Sequence, residues 1–373
     1  FIVVNLKVIE KRSIQPPELT YTIRGPKDCF TESLDVNLSL IKYRIKDENL
    51  KTEVFEMGRR TKTRVAMIYI ADIANDKVSK IIRERINAID VDGVVESGEL
   101  QKELLNSKFS LFPQMGLVER SDMAANSLLE GKVMVITEGS GIALTAPKTF
   151  AEFFWSCDDV YDNQYIAFLS KILRIIAAFF SISLTSLFII VSSFQHDILP
   201  PEYITTLALS RTSVAWNAFT GVLLIEIVLE ILREALLRVP KQIGSGIGIV
   251  GGIIIGQAAI SSGVWSPLLL ILAALSLMSS FVMPDYTIAN PLRIVKFFLI
   301  LITGILDLYG FVLGLCFLMT NLISTNSFGV PYLAPYAPFN WEDIRNTFYY
   351  NKKIAKNRPH FLRTKDNTRM NSD

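Results

Sequence analysis

The sequence is poor in the residues that most often carry catalysis or bind metals. Its 373 residues include three cysteines, Cys29, Cys157 and Cys316, and two histidines, His196 and His360. An odd number of widely separated cysteines indicates neither a disulfide framework nor a thiolate metal site, and two histidines leave little for zinc chemistry. Glycine-rich phosphate loops, nucleophile elbows and spaced carboxylate pairs are also missing. We therefore expect a protein that is not an enzyme, with no catalytic residue, metal site or cofactor.

Net charge is small as well, at +2, which argues against a nucleic-acid partner. Half of the residues are hydrophobic and only 20% are charged. Residues 1–150 hold 22 Lys/Arg and 21 Asp/Glu, whereas residues 151–330 hold 8 and 11. We predict a soluble domain over residues 1–155, a membrane domain over 156–330 and a basic C-terminal tail over 331–373. Because the chain starts at Phe1 within domain-like sequence, we expect an N-terminal part to be missing.

The first part has the pattern of an α/β domain. Residues 63–73 are a β-branched, apolar run, residues 74–89 repeat apolar side chains at helical spacing, and "DGVVES" at 92–97 has the character of a second strand. This order predicts a βαβ unit. Residues 132–147 predict a further strand pair, joined by a turn at residues 138–141. We expect an α/β soluble domain in two small lobes.

The second part contains long apolar segments that predict an α-helical transmembrane domain of four to five helices. The segment 175–194 carries no charge over a length that crosses the hydrocarbon core. Further spans are expected at 244–262, 266–283 and 297–324. Lys171 and Arg174 precede the first span, which puts the soluble domain in the cytoplasm by the positive-inside rule.

The helix expected at 214–240 decides the topology. If it crosses, there are five spans, the tail ends outside, and Arg293 and Lys296 fall on a cytoplasmic loop. If it lies flat or re-enters, there are four spans, the tail is cytoplasmic and those loop cations end outside. Neither arrangement satisfies the charge rule completely.

Glycines recur at every fourth residue of the second span, at Gly244, Gly248, Gly252 and Gly256. Residues at this spacing share one helix face. Without side chains, this face lets a neighbouring helix backbone approach closely. We predict a tight helix contact here, between subunits or within one; the alternative is the general enrichment of glycine in membrane helices.

Helix 214–240 carries charges where lipid is expected. Glu226, Glu230, Arg233 and Glu234 fall within an arc of about 100°. An unpaired charge facing lipid would cost at least about 2.5 kcal/mol. Three explanations remain open. The pairs Glu230–Arg233 and Glu234–Arg238 form a structural clamp, the helix is amphipathic and interfacial, or the carboxylates line an aqueous pore, which Asp307 on another span would favour.

Several long segments resemble the A subunits of the spore germinant receptors of endospore-forming bacteria. The segments are "GRRTKT", "FPQMGLVERSD", "LLEGKVMVITEGS", "PPEYITTLALSR", "EILREALLRVPKQIG", "GQAAISSGVWSP" and "APYAPFNWEDIRNTF". The resemblance covers roughly residues 20 to 363. Ser121 stands where the family usually has proline, and Asp307 where it more often has a small or apolar residue, so a role for Asp307 is either special to this chain or absent.

The resemblance implies an integral protein of the spore inner membrane whose soluble domain faces the core cytoplasm. Such subunits act with a transporter-like B subunit, to which nutrient binding is assigned, and a lipoprotein C subunit. They resemble subunits of a ring-shaped homo-oligomer proposed to release monovalent cations when nutrient binds. This implication favours Glu226, Glu230, Arg233, Glu234 and Asp307 as pore-lining or gating candidates. The alternatives are a family paralogue accessory to the dipicolinate channel, a secondary transporter using intramembrane carboxylates, and a scaffold for the other subunits.

Overall fold

Two compact units make up the chain in a computed structural model. One consists of residues 1–171 together with 322–373, and the other of residues 172–321. The residues that the structure describes are 25–105, 110–156, 158–195, 198–212, 214–239, 248, 252–253, 256–348 and 356–369. The first unit therefore takes residues from both sides of the apolar segment, and that segment forms the second unit.

The first unit is built on a sheet of five strands. The strands are β1 (Leu50–Met57), β2 (Thr63–Ile70), β3 (Gly116–Val118), β4 (Val133–Thr137) and β5 (Ala143–Ala146). They lie in the order β1-β2-β4-β5-β3, and each of these neighbouring pairs is antiparallel. The long central strands are rich in β-branched residues, which suit a pleated, buried surface.

Helices cover both faces of the sheet because its central strands bury side chains on both sides. Along β2, Ala66 and Ile68 point into one core and Val65 and Met67 into the other. The first core is closed by α1 (Leu34–Arg44) and α4 (Ser121–Leu129), the second by α2 (Asp76–Ala88) and α3 (Ser97–Leu104). This three-layer arrangement confirms the prediction of an α/β region.

The strand pair predicted at 132–147 is confirmed as the hairpin β4–β5, with Ile136 opposite Ala143. Gly139 has φ +86° in its turn, a conformation that glycine adopts without strain.

The predicted βαβ unit is wrong. Helix α2 follows β2 as expected, but residues 91–96 form a loop, and the chain enters α3 at Ser97. The backbone groups of this loop bond to the turn after β1 instead of to the sheet: the amides of Arg59 and Arg60 donate to the carbonyls of Val91 and Asp92. Because those groups are already paired, no parallel strand forms there.

The second unit consists of apolar helices. A short helix of the first unit, α5 (Asp158–Tyr161), precedes α6 (Gln164–Ile189), which enters the second unit at Ile172 and is followed by a π-helical turn, Ile190–Phe194. Then come α7 (Pro201–Arg211), α8 (Ala218–Arg238), α9 (Pro267–Ser280) and α10 (Tyr286–Ser324). Among the described residues, 164–194 and 286–324 are long and apolar enough to cross a membrane. Helix α9 has 14 residues, shorter than the segment 266–283 predicted to span.

The helix expected over 214–240 begins four residues later. The side chain of Asn217 accepts a hydrogen bond from the amide of Thr220 and caps α8 at its start.

The prediction of one tilted span over 297–324 is wrong, since α10 is broken at Asp307. This residue has φ 58° and ψ −144°, which is not helical. The rings of Phe298 and Phe317 lie 5.5 Å apart between centroids, whereas residues at that separation in a straight helix would be about 28 Å apart. The chain therefore folds back on itself, and residues 286–306 and 308–324 form the two arms of a helical hairpin.

Glycines allow the two arms to pack closely. A Cβ added at Gly310 would collide with the carbonyl of Ile302, and one added at Gly314 would lie 2.6 Å from the Leu299 side chain. Small residues at a helix contact let backbones approach and gain packing that lipid cannot supply. The hairpin is thus specified by glycines on the second arm together with the turn at Asp307.

Residues beyond the second unit complete the core of the first. Phe328, between β6 (Asn326–Ser327) and β7 (Val330–Pro331), joins the core under α2 and α3. Tyr332 is fully buried, and its hydroxyl donates to the carbonyl of Pro113 over 2.7 Å. Further on, past α11 (Trp341–Phe348), Arg358 donates to the carbonyl of Leu129 at the end of α4 over 2.8 Å. The described tail is therefore part of the same compact unit as the sheet.

We expect Gly310→Ala to destabilise the second unit by about 1–3 kcal/mol, because the added methyl group overpacks the hairpin against the Ile302 carbonyl. The matched control is Gly221→Ala in α8, where the nearest atom to an added Cβ is a Leu269 side-chain carbon at 3.5 Å. Thermal unfolding of both variants in detergent, followed by circular dichroism, measures the difference. Equal melting of the two variants would contradict the tight contact between the arms.

Candidate functional site

Helix α8 and the first arm of α10 are antiparallel neighbours. Near the start of α8, the Phe219 ring occupies the space that a Cβ on Gly304 would need. Further along, Glu226 pairs with Lys296 and Glu230 with Arg293. Because residue numbers rise along one helix as they fall along the other, the carboxylates of α8 meet the cations of α10.

The innermost contact is the ion pair between Glu226 and Lys296. Glu226 Oε2 lies 2.6 Å from Lys296 Nζ, and only 3% and 8% of the two side chains are exposed. Lys296 Nζ also donates to Ser276 Oγ on α9 over 3.3 Å, and that hydroxyl donates to the carbonyl of Ser181 on α6 over 2.9 Å. One buried pair thus ties four helices together.

Glu230 is the centre of the second contact. Its Oε1 lies 2.9 Å from an Arg233 guanidinium nitrogen, and Arg293 of α10 binds the same oxygen. The Arg233 side chain is 9% exposed and that of Glu230 is 37% exposed. This carboxylate therefore lies at the edge of the buried region and is shared between two guanidinium groups.

Glu234 forms an exposed pair with Arg238 at 2.6 Å, with 58% and 79% of the side chains exposed. Exposed i,i+4 pairs contribute only about 0.3–0.5 kcal/mol. The intrahelical pairs Glu230–Arg233 and Glu234–Arg238, which the spacing predicts, are both present.

Asp307 is not part of this network. It lies in the turn of the helical hairpin, about 16 Å along the arm from Lys296. The side-chain amide of Gln195, directly after the π-helical turn, donates to Asp307 Oδ2 over 3.4 Å. The acids predicted as one set therefore occupy two separate places.

The glycine face is described only in part, since Gly244 lies outside the described residues. A Cβ at Gly248 or Gly256 would lie 3.4 Å from a leucine side chain, of Leu236 and Leu270 respectively, and one at Gly252 would have no atom within 4 Å. These are ordinary contacts or open space. At these three described positions, no backbone of the same chain is packed as closely as at Gly310.

The functional residues that sequence reasoning missed are Arg293 and Lys296. They were expected on a loop, but both lie within α10. A signal was available in the spacing of the charges. Arg293 and Lys296 are three positions apart and Glu226 and Glu230 are four positions apart, so each pair shares one helix face and the two pairs can meet. Apolar composition around them hid it, because "RIVKFFLILI" looks like the beginning of a span.

Within this network, two carboxylates face three cations, so no free negative charge remains among these five side chains. The cavity between them has a volume of about 10 Å³, roughly that of one water-sized probe. In the described arrangement, these five side chains form a network of ion pairs between α8 and α10, which we call the charge lock. Of the α8 acids, Glu234 alone is mostly exposed.

The chain was compared with known proteins. Residues 1–361 match the family described as Bacillus/Clostridium GerA spore germination protein. Spore germination protein KA of Bacillus subtilis (strain 168) is 36% identical over 98% of this chain and 67% of its own length. Spore germination protein GerLA of Bacillus cereus is 34% identical over 98% of this chain and 75% of its own length. A further relative of B. subtilis, 34% identical over 93% of this chain and 68% of its own length, is named membrane protein YfkQ.

Among solved structures, the chain is similar to the N-terminal domain of the A subunit of the Bacillus megaterium spore germinant receptor GerK3. The two are 40% identical, with a TM-score of 0.28, over 33% of this chain and 97% of that one. The family match over residues 1–361 and relatives of 34–36% identity along nearly the whole chain lead to one conclusion. This protein belongs to the GerA family of spore germination proteins.

Proposed function

We propose that this protein is the A subunit of a nutrient germinant receptor in the spore inner membrane, with its first unit facing the core cytoplasm. Several copies assemble into a homo-oligomer and act with a transporter-like B subunit and a lipoprotein C subunit. The assembly couples nutrient binding to the release of cations. Membership of the GerA family supports the germination role, and the charge lock of α8 and α10 is the observation that supports the coupling.

The lock has the properties of a two-state element. Its ion pairs join helices that can slide or rotate, and packed helices change between discrete arrangements instead of deforming continuously. In the described state, Glu226 is buried against Lys296 and Glu230 is shared by Arg233 and Arg293. A movement of α8 along α10 would break these pairs and present the carboxylates to a neighbouring aqueous space.

Carboxylates released in this way would attract cations. Rings of acidic side chains at a pore axis select cations in known channels. Glu230 and Glu234 are the most exposed acids of α8, so they line the pore in our proposal. Glu226 remains paired with Lys296 inside the charge lock. Arg233 neutralises Glu230 in the closed state and acts as part of the gate.

The glycine face of residues 244–256 is proposed as a contact between subunits. Open space at Gly252 and ordinary leucine contacts at Gly248 and Gly256 leave room for a helix of another copy.

The proposed topology is based on which parts of the chain make up the first unit. Residues up to 171 and residues from 322 onward belong to one compact unit, which supports placing both on the same side of the membrane. The intervening chain then crosses an even number of times, and the basic tail is cytoplasmic together with the sheet.

The contacts of the second unit favour six passes. Helix α8 is antiparallel to the first arm of α10, and α9 is parallel to α8, because Trp265 beside α9 bonds to Gly221 while Leu277 lies near Glu230. Between them, Gly248 lies by Leu236 and Gly256 by Leu270, as a returning segment requires. In our proposal the passes are α6, α8, a span that the sequence predicts at 244–262, α9 extended by the apolar residues 281–283, and the two arms of α10. The expectation of four to five helices counted the hairpin as one pass.

We expect each single change in the lock to be costly and the double change to be much less so. Glu226→Gln or Lys296→Met leaves one buried charge without its partner and should lower the free energy of unfolding by about 3–5 kcal/mol. The double variant removes both charges and should lose less than the sum. Glu234→Gln is the control, with an effect below about 1 kcal/mol. Chemical denaturation in detergent measures all four, and additive losses in the double variant would refute the coupling.

The pore role is tested by ion release. In assembled receptors, Glu230→Gln and Glu234→Gln should slow cation release on nutrient addition several-fold, because the pore loses negative charge. Glu202→Gln in α7 is the matched control, since it removes an exposed carboxylate from another helix. Wild-type release from both pore variants would rule out the role.

Two other outcomes would support the alternative functions. Substrate uptake by the purified chain alone in liposomes would support the secondary transporter, and dipicolinate release without nutrient response would support the paralogue.

Cysteine labelling tests the topology. The experiment uses a chain that carries Cys316→Ser, in which the exposed Cys316 can no longer react with the label. Lys80→Cys in the sheet unit and Arg363→Cys in the tail should react with an impermeant maleimide from the same side, and Ile198→Cys, after α6, from the other. If Arg363→Cys reacts together with Ile198→Cys, an odd number of passes is correct.

A further inference from the structure

The first unit contains a cavity of about 330 Å³ that the proposed gating role does not use. Its walls come from β3 and the end of α4, from the segment around Trp155, and from α11 with the tail. This volume is within the range of small-molecule sites. The chain before the second unit and the chain after it therefore enclose one space.

The charged side chains of the described lining already have partners in the protein. Lys132 Nζ lies 2.7 Å from Glu152 and 3.3 Å from Glu130, and Arg369 lies 3.6 Å from the other oxygen of Glu130. Burial by itself would lower the pKa of Lys132, but the attraction of Glu152 and Glu130 outweighs it and raises that pKa above its ordinary value. Two cations and two carboxylates therefore compensate one another along this wall.

Two further cations of the lining are held by carbonyl oxygens. The Arg358 guanidinium donates to the carbonyl of Leu129 over 2.8 Å and lies 3.2 Å from Asp366. Lys171 Nζ donates to the carbonyl of Thr347 over 2.7 Å. These contacts fix both cations against the wall.

Lys148 and Asp159 complete the charged part of the lining. Lys148 Nζ lies 4.2 Å from the centre of the Phe153 ring, in the geometry of a cation–π contact. The Asp159 carboxylate accepts a hydrogen bond from the amide of Ser156 over 3.1 Å. A charged ligand would have to displace such contacts or be buried without a partner of its own, and an unpaired buried charge is costly. The lining therefore favours a molecule without net charge.

The rest of the lining is suited to an organic molecule. Leu117, Met123 and Val160 contribute apolar surface, and Trp155 contributes an aromatic ring. Asn346 lines the cavity too, and its side-chain oxygen is buried without a hydrogen-bond partner among the described residues. Because a buried acceptor without a partner costs free energy, a ligand that brings an N–H or O–H group would gain by donating to this oxygen.

We propose that this cavity binds a small uncharged organic molecule that carries an amide or hydroxyl group on an apolar frame. The frame packs against Trp155 and its aliphatic neighbours, and the polar group donates a hydrogen bond to Asn346. The inference does not depend on the gating role of the second unit.

The ligand also stabilises the closure of the first unit. Trp155 precedes the second unit, whereas Asn346 and the tail follow it. A molecule that contacts both sides binds only when α11 and the tail are in place, and by linkage its binding favours that arrangement. Hydrogen exchange in residues 341–348 and 356–369 should therefore slow when the cavity is occupied.

The test is equilibrium dialysis of the full chain in lipid nanodiscs, with empty nanodiscs as the blank. Three probes of similar size differ in charge: cinnamamide is neutral, cinnamate is an anion and cinnamylammonium is a cation. We expect cinnamamide to bind at least about tenfold more tightly than either ion, because an ion loses its water without gaining a free partner. The fourth probe, N,N-dimethylcinnamamide, is neutral but has no donor, so it should also bind about tenfold more weakly.

Variants of the chain place the ligand in the cavity. Asn346→Leu should weaken cinnamamide binding about tenfold and leave binding of N,N-dimethylcinnamamide unchanged, because only cinnamamide donates to this side chain. Trp155→Leu should weaken binding of both amides. Asn87→Leu makes the same substitution at an exposed position of α2 and should change neither.

Thermal melts without ligand check that the variants are folded. The proposal is overturned if cinnamamide binds no better to the chain than to empty nanodiscs, or if either ion binds as tightly as cinnamamide. It is also overturned if Asn346→Leu weakens both amides equally, or if Asn87→Leu weakens cinnamamide binding as much as Asn346→Leu does.

Discussion

Burial of a carboxylate and an ammonium group among apolar helices is the constraint on which the second unit depends. Transfer of each ion from water costs several kcal/mol, and only close pairing with further hydrogen bonds offsets this loss. Glu226 and Lys296 are paired at 2.6 Å, and Ser276 is an additional partner of the lysine, whereas the second carboxylate oxygen of Glu226 is buried without a hydrogen-bond partner among the described residues. The pair favours the described axial alignment of α8 and α10. Sliding by one residue would leave two charges unpaired in an apolar medium, so the pair specifies the alignment of the bundle more than it adds stability.

This constraint explains why the charged residues of α8 have such different exposures. Glu226 faces α10 and is buried, Glu230 lies at the edge of the contact, and Glu234 points away from it. The gradient follows from helical geometry, because each step of four residues turns the side chain by about 40°. One helix thus presents a locked, a shared and an exposed carboxylate in succession. Such a series lets a small rotation change which acids are compensated.

Local patterns made part of this structure predictable from sequence. The spacing of Glu230 with Arg233 and of Glu234 with Arg238 predicted both intrahelical pairs, and two apolar runs joined by turn residues predicted the β4–β5 hairpin. The uncharged apolar run at 175–194 predicted the second half of the long helix α6. In each case, the interacting residues lie within one or two turns or one hairpin, so periodicity alone describes the contact.

Contacts between distant residues were not predictable in this way. Arg293 and Lys296 are 63 and 70 residues from their partners Glu230 and Glu226, and no local pattern links them. The break at Asp307 was hidden because an aspartate inside an apolar run is compatible with a continuous helix, and only the backbone contact at Gly310 distinguishes a hairpin. The "DGVVES" segment had the composition of a strand, but its hydrogen bonds were taken by the turn after β1.

The core of the first unit is completed by residues that follow the second unit in the chain, and this order has a consequence for biosynthesis. A ribosome makes the sheet long before it makes Phe328, which packs in the core under α2 and α3, and Tyr332, which packs against Phe112 and Phe153. Nascent domains normally fold as soon as their own residues have emerged. Here the core of the first unit stays incompletely packed until the residues that follow the second unit have been synthesised. A chain whose insertion fails would keep exposed apolar surface on its sheet unit, which offers cellular quality control a direct way to recognise it.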